Sequence, residues 1–305
     1  MLSCLITGAT SFSGTWFTKT MLDAGIECIA VSRNTESQST IVQSRLNWIR
    51  KYYPDFKLTT LKEMHGIPSV DVVCFHGTAT FDYRNPQFDI DLAVQSTLEI
   101  STIIHSKFKN ALYVHTGTFS EPNESIGNNT LSFNPYSTSK NIIYNEHKAL
   151  IGEDQLLKYV MPNPFGPLEN HKFTGYLIQQ WAVGKKPLIK SPNYVRDNVP
   201  IDLLSAHYVQ TLINYTKGLG TRTAWPSKYI ESNLAFAKRY ANHFNELTGY
   251  PTPIDAVLHH EFEEPRIRIN KDYCEDTVKG WSEIDSWTKT IEEAAERFAK
   301  FSLES

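Results

Sequence analysis

Long hydrophobic runs and an excess of charge of one sign are both missing from this sequence. No apolar stretch among its 305 residues approaches the roughly 18 residues that a bilayer crossing requires. The formal net charge is −3, with basic and acidic residues interspersed, so neither a basic stripe nor an acidic tail is present. We therefore expect a protein without a membrane or nucleic-acid partner.

Cysteine is also scarce, and its positions do not suggest disulfides. Three of the four cysteines, Cys4, Cys28 and Cys74, lie in apolar runs that are typical of buried strands, and Cys274 is far away in the sequence. Unpaired buried thiols are typical of a reducing compartment. The first residues, MLSCLITGA, also lack the basic segment and long apolar core of a signal peptide. The sequence thus predicts a soluble cytoplasmic protein.

Apolar runs and amphipathic segments alternate through the first half of the chain. Residues 2–7 form a short apolar run, residues 12–24 have helical spacing, and residues 26–31 form a second apolar run. These are the dimensions of a βαβ unit, and the alternation continues to residue 161. Nearly continuous apolar strands indicate a parallel sheet that is covered on both faces. We predict an α/β protein with a Rossmann-type, doubly wound parallel sheet.

A change of pattern at PNPFGP, residues 162–167, suggests a domain boundary, because three prolines and a glycine interrupt the alternation. Beyond this point the predicted helices and strands are shorter and mixed. We predict a dinucleotide-binding Rossmann domain over residues 1–161, to which part of 201–227 returns. A smaller α/β substrate-binding domain over 162–305 is predicted to be partly interleaved with it.

The first strand-to-helix turn, TGATSFSG at residues 7–14, has the context of a dinucleotide-binding fingerprint. Gly8 lets the chain leave the strand tightly, Gly14 permits close helix packing, and the helix N-terminus offers N–H groups to a pyrophosphate. Ser11 replaces the usual middle glycine, and an ordinary strand–helix turn remains the alternative. The predicted cofactor contacts in this turn are Gly8, Thr10, Ser11, Phe12, Ser13 and Gly14.

The end of the second strand bears on the choice of cofactor. An NAD site usually has an acidic residue there, which accepts a hydrogen bond from the ribose 2′-OH. Here the strand ends in Val31, Ser32 and Arg33, and the last two suit a 2′-phosphate. We therefore predict NADP(H), with NAD(H) less favoured, unless Arg33 is simply a solvated loop residue.

A tyrosine and a lysine in the stretch NPYSTSK, Tyr136 and Lys140, share one face of a predicted helix. Beside a nicotinamide, a phenol can protonate the alkoxide that hydride transfer to a carbonyl leaves, and a neighbouring ammonium lowers the phenol pKa. Thr116, at the end of a predicted strand, can hydrogen-bond the same carbonyl oxygen. His76 and Gly77 follow the fourth strand and are predicted near the cofactor, although His76 could also be a satisfied strand-end histidine.

The motifs, in this order, resemble those of extended short-chain dehydrogenase/reductases that modify nucleotide-activated sugars. Besides TGATSFSG and YSTSK, the similar segments are DVVCFHGTA (71–79), VHTGTFSEP (114–122), NPFGP (163–167), RDNVPIDLL (196–204) and INKDYCEDTVKGW (269–281). The resemblance implies that Thr116, Tyr136 and Lys140 are catalytic. It also implies a nucleotide-diphosphate sugar as substrate. The predicted substrate contacts are Thr78, Thr118, Asn163 and Arg196.

Two departures from the family narrow the predicted chemistry. Related 4,6-dehydratases carry Asp-Glu directly after the catalytic threonine, whereas Thr116 is followed by Gly117 and Thr118, so dehydration is not expected. Related 4-epimerases hold NAD through an acidic residue where this chain has Ser32. The sequence therefore favours an NADPH-dependent reductase of a nucleotide-activated 4-keto sugar, in the synthesis of a deoxy or modified sugar for a surface polysaccharide. The alternatives are a C4 epimerase and, in another class, a non-catalytic NADP(H)-sensing protein.

Several basic residues have more than one interpretation. The resemblance turns Arg196 toward the substrate diphosphate, but it could instead pair with Asp197 or Asp202. Arg266 and Arg268 alternate onto one face, where some family members contact phosphate, and a solvated face is equally compatible with their spacing.

Two further predictions concern metals and subunits. No metal site is expected, because the adjacent His259 and His260 on an extended segment point to opposite faces and no other ligand set has suitable spacing. By analogy, the resemblance implies a homodimer formed through a four-helix bundle. The two helices in question carry Leu92, Leu98, Ile143 and Tyr144.

Overall fold

Strands and helices alternate in the first part of the chain. The computed structural model describes residues 1–32, 39–78, 88–125, 134–170, 172–257 and 264–304. The elements of the first part are β1 (Ser3–Thr7), α1 (Phe12–Asp23), β2 (Glu27–Ser32), α2 (Thr40–Tyr52), β3 (Leu58–Thr60), β4 (Val72–Phe75), α3 (Ile90–Lys107), β5 (Leu112–Thr118), α4 (Pro135–Ile151) and β6 (Leu156–Met161). Short 3₁₀ turns lie before β4 and before β6.

The second part of the chain has shorter strands among its helices. Its elements are β7 (Asn163–Phe165), α5 (Phe173–Ala182), β8 (Leu188–Ile189), β9 (Val195–Pro200), α6 (Ile201–Thr216), β10 (Thr223–Ala224), β11 (Pro226–Ser227), β12 (Tyr229–Ser232), α7 (Asn233–Thr248), β13 (Asp255–Ala256), β14 (Ile267–Arg268), β15 (Asp272–Tyr273), α8 (Cys274–Thr277) and α9 (Glu283–Glu304). It begins with β7, which lies within residues 162–167 and follows β6 after one residue.

A parallel sheet forms the centre of the molecule. Within the described residues it has seven strands in the order β10-β6-β5-β4-β1-β2-β3. The strand order reverses beside β1, which pairs with β2 on one side and with β4 on the other. At such a switch point the carboxyl ends of parallel strands open a crevice that can hold a ligand. The predicted α/β fold with a doubly wound parallel sheet is confirmed.

Helices cover both faces of this sheet. On one face α1 packs against α6, and the rings of Phe17 and Tyr208 stack there with their centroids 4.0 Å apart. On the other face α3 packs against α4 over a core that includes Phe75 and Tyr113. Burying each of these side chains contributes about 1.5–3 kcal/mol relative to exposure. Val114 of β5 packs in the core beneath α1 and α6, and its neighbour Tyr113 packs in the core beneath α3 and α4. Successive β5 side chains therefore point to opposite faces of the sheet.

The small sheet and its helices form a second core. Strands β12, β9 and β14 lie side by side, and β7 also pairs with β9. Helices α5, α7 and α9 pack around an aromatic cluster. Its buried members include Trp181, Phe236, Phe244, Trp287 and Phe298. Because β9 runs directly into α6, the chain passes from the small sheet back to the face of the central sheet.

The outer surfaces of α3 and α4 differ from the predicted subunit interface. Ile143, one of the apolar residues named on these helices, is 1% exposed and packs within the protomer, so it does not lie on their outer surface. The buried positions of α4 recur every three or four residues, and this spacing turns Ile143 toward the sheet. The exposed apolar side chains on these two helices are Leu92, Ile103 and Ile142. None of the helices in the described ranges combines the length and apolarity that a membrane crossing needs.

Candidate functional site

A cleft of about 1750 Å³ opens at the carboxyl ends of the central strands and continues along the small sheet of β7, β9, β12 and β14. In the described part of the chain, one predicted site residue is not on its wall. Gly14 packs behind the turn, and Arg33 lies outside the described residues. The predicted residues that do line the cleft are Gly8, Thr10, Ser11, Phe12, Ser13, Ser32, His76, Gly77, Thr78, Thr116, Thr118, Tyr136, Lys140, Asn163 and Arg196.

The glycine turn needs both of its glycines. Gly8 has a φ of +72°, and a Cβ at this position would lie 2.5 Å from the Cα of Gly77. A Cβ at Gly14 would lie 2.1 Å from the carbonyl oxygen of Gly8, so the helix begins in contact with its own turn. Ser11 caps α1, because its Oγ accepts a hydrogen bond of 3.0 Å from the Gly14 amide. At the position where the fingerprint usually has its middle glycine, Ser11 thus serves as the N-cap of α1.

A buried arginine that the sequence pattern did not single out, Arg45 of α2, braces this turn. Its guanidinium donates to the carbonyl oxygens of Thr10 at 3.2 Å and Leu168 at 2.8 Å, and to the side chain of Asn170. Burial lowers the pKa of Arg45 to about 10. Arg45 therefore connects the glycine turn to the segment that follows β7.

The start of α4 places the tyrosine and the lysine in the cleft. Asn134 caps the helix, its Oδ1 accepting a hydrogen bond of 2.8 Å from the Ser137 amide, so Tyr136 lies in the first turn. Lys140, one turn later, is buried and its Nζ donates a hydrogen bond of 2.7 Å to the carbonyl oxygen of Thr116. Burial is the main cause that lowers the pKa of Lys140 to about 8, Glu121 opposes this shift, and Lys158 adds to it. Its charge therefore titrates close to neutral pH.

The hydroxyl of Thr116 contacts a histidine rather than the lysine. Thr116 Oγ1 lies 3.1 Å from Nδ1 of His76, and Nε2 of His76 lies 3.0 Å from Ser13 Oγ. Alternation along β5 places the Thr116 side chain on the face opposite α4, so only its carbonyl meets Lys140. Burial lowers the pKa of His76 to about 3, with a contribution from Lys140, so the ring is neutral. His76 thus lines the cleft and is also satisfied by two hydroxyls.

Two further histidines lie buried behind Lys140. Nδ1 of His115 and Nδ1 of His147 are 2.9 Å apart, and Nε2 of His147 is 2.8 Å from Ser101 Oγ. Since the Ser101 hydroxyl donates to the Thr97 carbonyl, it accepts from His147, which must then accept from His115. Burial lowers the pKa of His147 to about 3 and that of His115 well below its ordinary value. Both rings are therefore neutral.

A group of buried charges lies beneath the end of β5. Lys158, in the middle of β6, pairs with Glu121 at 2.7 Å and with Glu124 at 2.6 Å. The other oxygen of Glu121 accepts a hydrogen bond of 2.6 Å from the Thr118 amide. Burial alone would lower the pKa of Lys158, but the two carboxylates raise it above its ordinary value. Sequence reasoning missed this group, because Lys158 is 37 and 34 residues away from its two carboxylate partners.

Two arginines face the cleft from the small sheet, and both bind one carboxylate. Arg196 Nη2 lies 3.0 Å from Glu264, and Arg268 forms an ion pair with the same carboxylate oxygen. Arg268 also donates to Ser120 Oγ at 2.7 Å, close to the end of β5. Burial lowers the pKa of Arg196, although Glu264 raises it in part. All three charged side chains line the cleft.

The predicted alternative partners of Arg196 have other roles. Asp197 accepts hydrogen bonds from the backbone amides of Lys228 and Asn270, at 3.0 and 3.1 Å. Asp202 accepts from the Trp281 indole and the Ser286 hydroxyl. The interpretation that Arg196 pairs with either aspartate is therefore wrong, because both carboxylates are occupied elsewhere and Glu264 takes that position.

The remaining predictions concern metal ligands and the part of the cleft at the end of β2. Among the residues that the structure describes, no group of three or more His, Cys, Asp or Glu side chains is placed to hold a metal ion. The segment His259–Glu261 lies outside those residues. At the end of β2, Ser32 lines the cleft together with the apolar Val42 and Leu61.

Comparison with solved structures shows the same fold at low sequence identity. The UDP-glucuronic acid 4-epimerase from Bacillus cereus, solved with UDP-glucuronic acid and NAD, has a TM-score of 0.72 and 16% identity, covering 97% of this chain and 99% of that chain. The UDP-glucose-4-epimerase from Stenotrophomonas maltophila, with NAD and formylated UDP-arabinopyranose bound, has a TM-score of 0.71 and 14% identity over 100% of both chains. The UDP-glucose 4-epimerase from Bifidobacterium longum, with NAD+ and UDP, has a TM-score of 0.68 and 16% identity, covering 96% of this chain and 98% of that chain.

Sequence comparison identifies the family. No curated protein matches the chain significantly. The model of the NAD dependent epimerase/dehydratase family matches residues 4–238, which is more than half of the chain. The order of the motifs, the doubly wound sheet and the glycine turn at its switch point agree with this match. The chain belongs to the NAD-dependent epimerase/dehydratase family, and it is an enzyme of the extended short-chain dehydrogenase/reductase type.

Proposed function

We propose that this enzyme transfers hydride at C4 of a sugar that is bound as its nucleotide diphosphate. One observation carries the proposal. The Tyr136–Lys140 pair and the arginines Arg196 and Arg268 line the same cleft as the glycine turn. The cleft thus combines a dinucleotide cradle, a proton donor and an anion-binding wall.

The residues of the cradle suit a nicotinamide dinucleotide. The missing side chain of Gly8 brings the backbone of the turn to the cleft wall, and the capped N-terminus of α1 faces a pyrophosphate position. Thr10 and Ser13 add hydroxyls to this wall, and Ser32 stands where the adenosine ribose is expected. When bound, the nicotinamide supplies or accepts the hydride.

The residues near Tyr136 would control the proton. The Tyr136 phenol would hold the proton that the C4 oxygen gains or loses. The Lys140 ammonium, one helical turn further on, would favour the phenolate. Since Thr116 Oγ1 is engaged by His76, its predicted contact with the sugar carbonyl requires that this bond is shared or released. Thr118 lies two residues further along the same face of β5 and lines the cleft, so it offers a second hydroxyl for the C4 oxygen.

C4 epimerisation is the complete reaction that we favour, because proteins with similar folds along their whole length are described as UDP-sugar 4-epimerases. In that reaction the hydride removed from C4 is returned to its other face, and no net reductant is consumed. Reduction of a 4-keto sugar by NADPH is the second candidate. It is favoured by the end of β2, where Ser32 lines the cleft without a carboxylate beside it in the described part of the strand.

Dehydration is not supported by the residues beyond Thr116. Gly117 and Thr118 carry no carboxylate, and the next acidic residue, Glu121, is held by Lys158 beneath the strand. The Glu121 carboxylate is therefore engaged by the Lys158 ammonium and the Thr118 amide, and it is not placed to act as an acid or base on the sugar. The active site therefore lacks the acid–base pair that elimination across C5 and C6 needs at this position.

A homodimer through α3 and α4 remains part of the proposal, although its surface differs from the predicted one. Leu92 on α3 and Ile142 on α4 are exposed apolar side chains, at 52% and 36% of their full exposure. Association would bury them, so a Leu92→Glu substitution should convert the dimer to a monomer. Light scattering after gel filtration would measure this, and a parent protein that is already monomeric would contradict the proposed dimer.

The function can be tested with a panel of nucleotide sugars. Purified enzyme is incubated with UDP-, dTDP- and GDP-linked hexoses plus NAD, and the C4 epimers are separated by chromatography. In parallel, 4-keto nucleotide sugars are mixed with NADPH and the nicotinamide absorbance is followed. Conversion in the first arm supports the epimerase, and oxidation of NADPH in the second supports the reductase. If neither arm reacts and no nucleoside diphosphate binds at millimolar concentration, the substrate is not a nucleotide sugar.

A further inference from the structure

The end of β5 rests on an ion pair that is removed from solvent. Glu121 is 0% exposed and Lys158 is 2% exposed, although Lys158 lies in the middle of a strand that is otherwise apolar or aromatic. The Lys158 ammonium also sits 3.8 Å from the centroid of the Tyr144 ring. Replacing a buried ion pair with apolar residues of similar size is often neutral or stabilising, so stability alone gives little reason for these charges.

The backbone beside the catalytic residues fits this ion pair closely. A Cβ at Gly117 would lie 2.6 Å from Oε1 of Glu121 and 2.7 Å from Cε of Lys158. The same Glu121 oxygen accepts the Thr118 amide at 2.6 Å. The peptide between Gly117 and Thr118 is therefore held against the carboxylate by contact on one side and by a hydrogen bond on the other.

The ion pair also acts on Lys140 through its charges. Glu121 favours the charged form of Lys140 and Lys158 disfavours it. The other titratable groups that face Lys140 are His76 after β4, His115 on β5, and His147 and Tyr136 on its own helix. The three histidines are neutral at working pH, so within the described residues Glu121 and Lys158 are the charged groups that bear on the lysine.

We propose that Glu121 and Lys158 are positioning residues of the active site, which fix the Gly117–Thr118 peptide and set the charge of Lys140 from beneath the strand. They touch neither substrate nor cofactor, since both are outside the cleft wall and act through β5 and α4. The inference rests on the proposed catalytic role of Lys140. It adds a residue pair to which the sequence analysis gave no role.

Replacing Glu121 with glutamine tests the effect of its negative charge on Lys140. In Glu121→Gln the amide oxygen can still accept from the Thr118 amide, but the negative charge near Lys140 is lost. We expect the pKa of Lys140 to fall, the alkaline limb of the kcat profile to move to lower pH, and kcat at pH 8 to drop by roughly 10-fold. KM for the nucleotide sugar should change little, because the diphosphate wall is built from other residues.

Lys158→Met should shift the alkaline limb in the opposite direction, since it removes a repelling charge. That variant leaves the buried Glu121 carboxylate without its cation and can unfold. The double variant Glu121→Gln/Lys158→Met removes both charges and keeps the volume. Because the Glu121 effect on Lys140 exceeds that of Lys158, the pKa of Lys140 in the double variant should lie between those of the parent and Glu121→Gln.

Glu124→Gln is the matched control. It removes a carboxylate from the same lysine, but Glu124 bonds to the Trp225 indole at 2.9 Å and makes no hydrogen bond to β5. This variant should keep the kcat profile of the parent within about twofold. Equal losses of kcat and equal shifts in Glu124→Gln and Glu121→Gln would overturn the proposal, because the ion pair would then act only through general stability.

A substrate-free measurement separates this inference from the proposed function. NMR of lysine-labelled protein follows the Lys140 side chain through its titration, and a Lys140→Arg variant assigns the signal. The expected order of pKa values is Glu121→Gln lowest, then the double variant, then the parent. An unchanged Lys140 titration in folded Glu121→Gln refutes the inference even if the enzyme epimerises a sugar. The expected order supports it even if no nucleotide sugar on the panel reacts.

Discussion

Removing the charge of Glu264 should tighten the binding of nucleoside diphosphates. In the structure this carboxylate bridges Arg196 and Arg268, the two guanidinium groups that we assign to the substrate diphosphate. A bound diphosphate would need the same donors, so Glu264 competes with it as an internal anion. Glu264→Gln keeps a hydrogen-bond acceptor of similar shape but removes the competing charge.

The size of this effect can be bounded from the geometry. A hydrogen bond to a charged group contributes roughly 1.5–3 kcal/mol and a neutral one roughly 0.5–1.5 kcal/mol. The difference for one shared guanidinium is therefore about 1–1.5 kcal/mol. The Glu264 side chain is 32% exposed, so solvent screening keeps the gain toward the lower end of this range. We expect Kd to fall by about 5- to 10-fold, since about 1.4 kcal/mol corresponds to a factor of ten.

Isothermal titration calorimetry with UDP, dTDP and GDP measures this change directly. Glu275→Gln is a suitable control, because Glu275 is also paired with a basic residue, Lys228, but does not line the cleft. Its Kd should stay within about twofold of the parent value. Weaker or unchanged diphosphate binding in Glu264→Gln, with normal thermal stability, would refute the view that Glu264 occupies the diphosphate position.

Four other outcomes follow from the site. Arg196→Ala should raise KM for the nucleotide sugar by an amount that matches the loss of roughly 1.5–3 kcal/mol, with Arg196→Lys recovering only part and with cofactor affinity unchanged, as steady-state kinetics would reveal. Tyr136→Phe should bind both ligands normally but lose about 10²–10⁴-fold in turnover, while Thr116→Val should lose less; near-normal turnover of the phenylalanine variant would remove the phenol from the mechanism. Turnover should decline as the pH rises through about 8, because the buried Lys140 loses its charge there; a flat profile to pH 10 would contradict this. Fluorescence titration of the parent with NADPH and NADH tests the cofactor prediction, which is wrong if NADH binds as tightly.

Local sequence patterns were sufficient to predict most of the fold. The apolar strands and amphipathic helices of the first part lie within a few residues of their expected bounds, because each pattern is set by side chains that are close in sequence. The last helix begins at Glu283, four residues before the buried Trp287. Its first turn holds the acidic Glu283 and Asp285, which suit a helix N-terminus, and its apolar Ile284 is exposed, so this turn adds nothing to the buried apolar face.

The site was predictable where a motif is compact, and not where it depends on distant partners. Tyr136 and Lys140 are one helical turn apart, so their common face follows from spacing alone. The partner of Lys158 is 37 residues away, and a single lysine in an apolar run gives no sign of the carboxylate that holds it. Arg196 lines the cleft, but its partner Glu264 comes from a separate segment that meets it only in the folded chain.

The approach of Gly8 to Gly77 has a consequence for how these two positions can vary. A Cβ at Gly8 would clash with the backbone of Gly77, and a Cβ at Gly77 would lie 2.8 Å from the backbone nitrogen of Gly8. Each glycine therefore avoids main-chain atoms of the other, which no change of side chain at the opposite position can remove. We therefore expect that no substitution at Gly77 can compensate for a side chain at Gly8, and that none at Gly8 can compensate for a side chain at Gly77. In a mutational library, both positions should accept glycine alone and should show no covariation with each other.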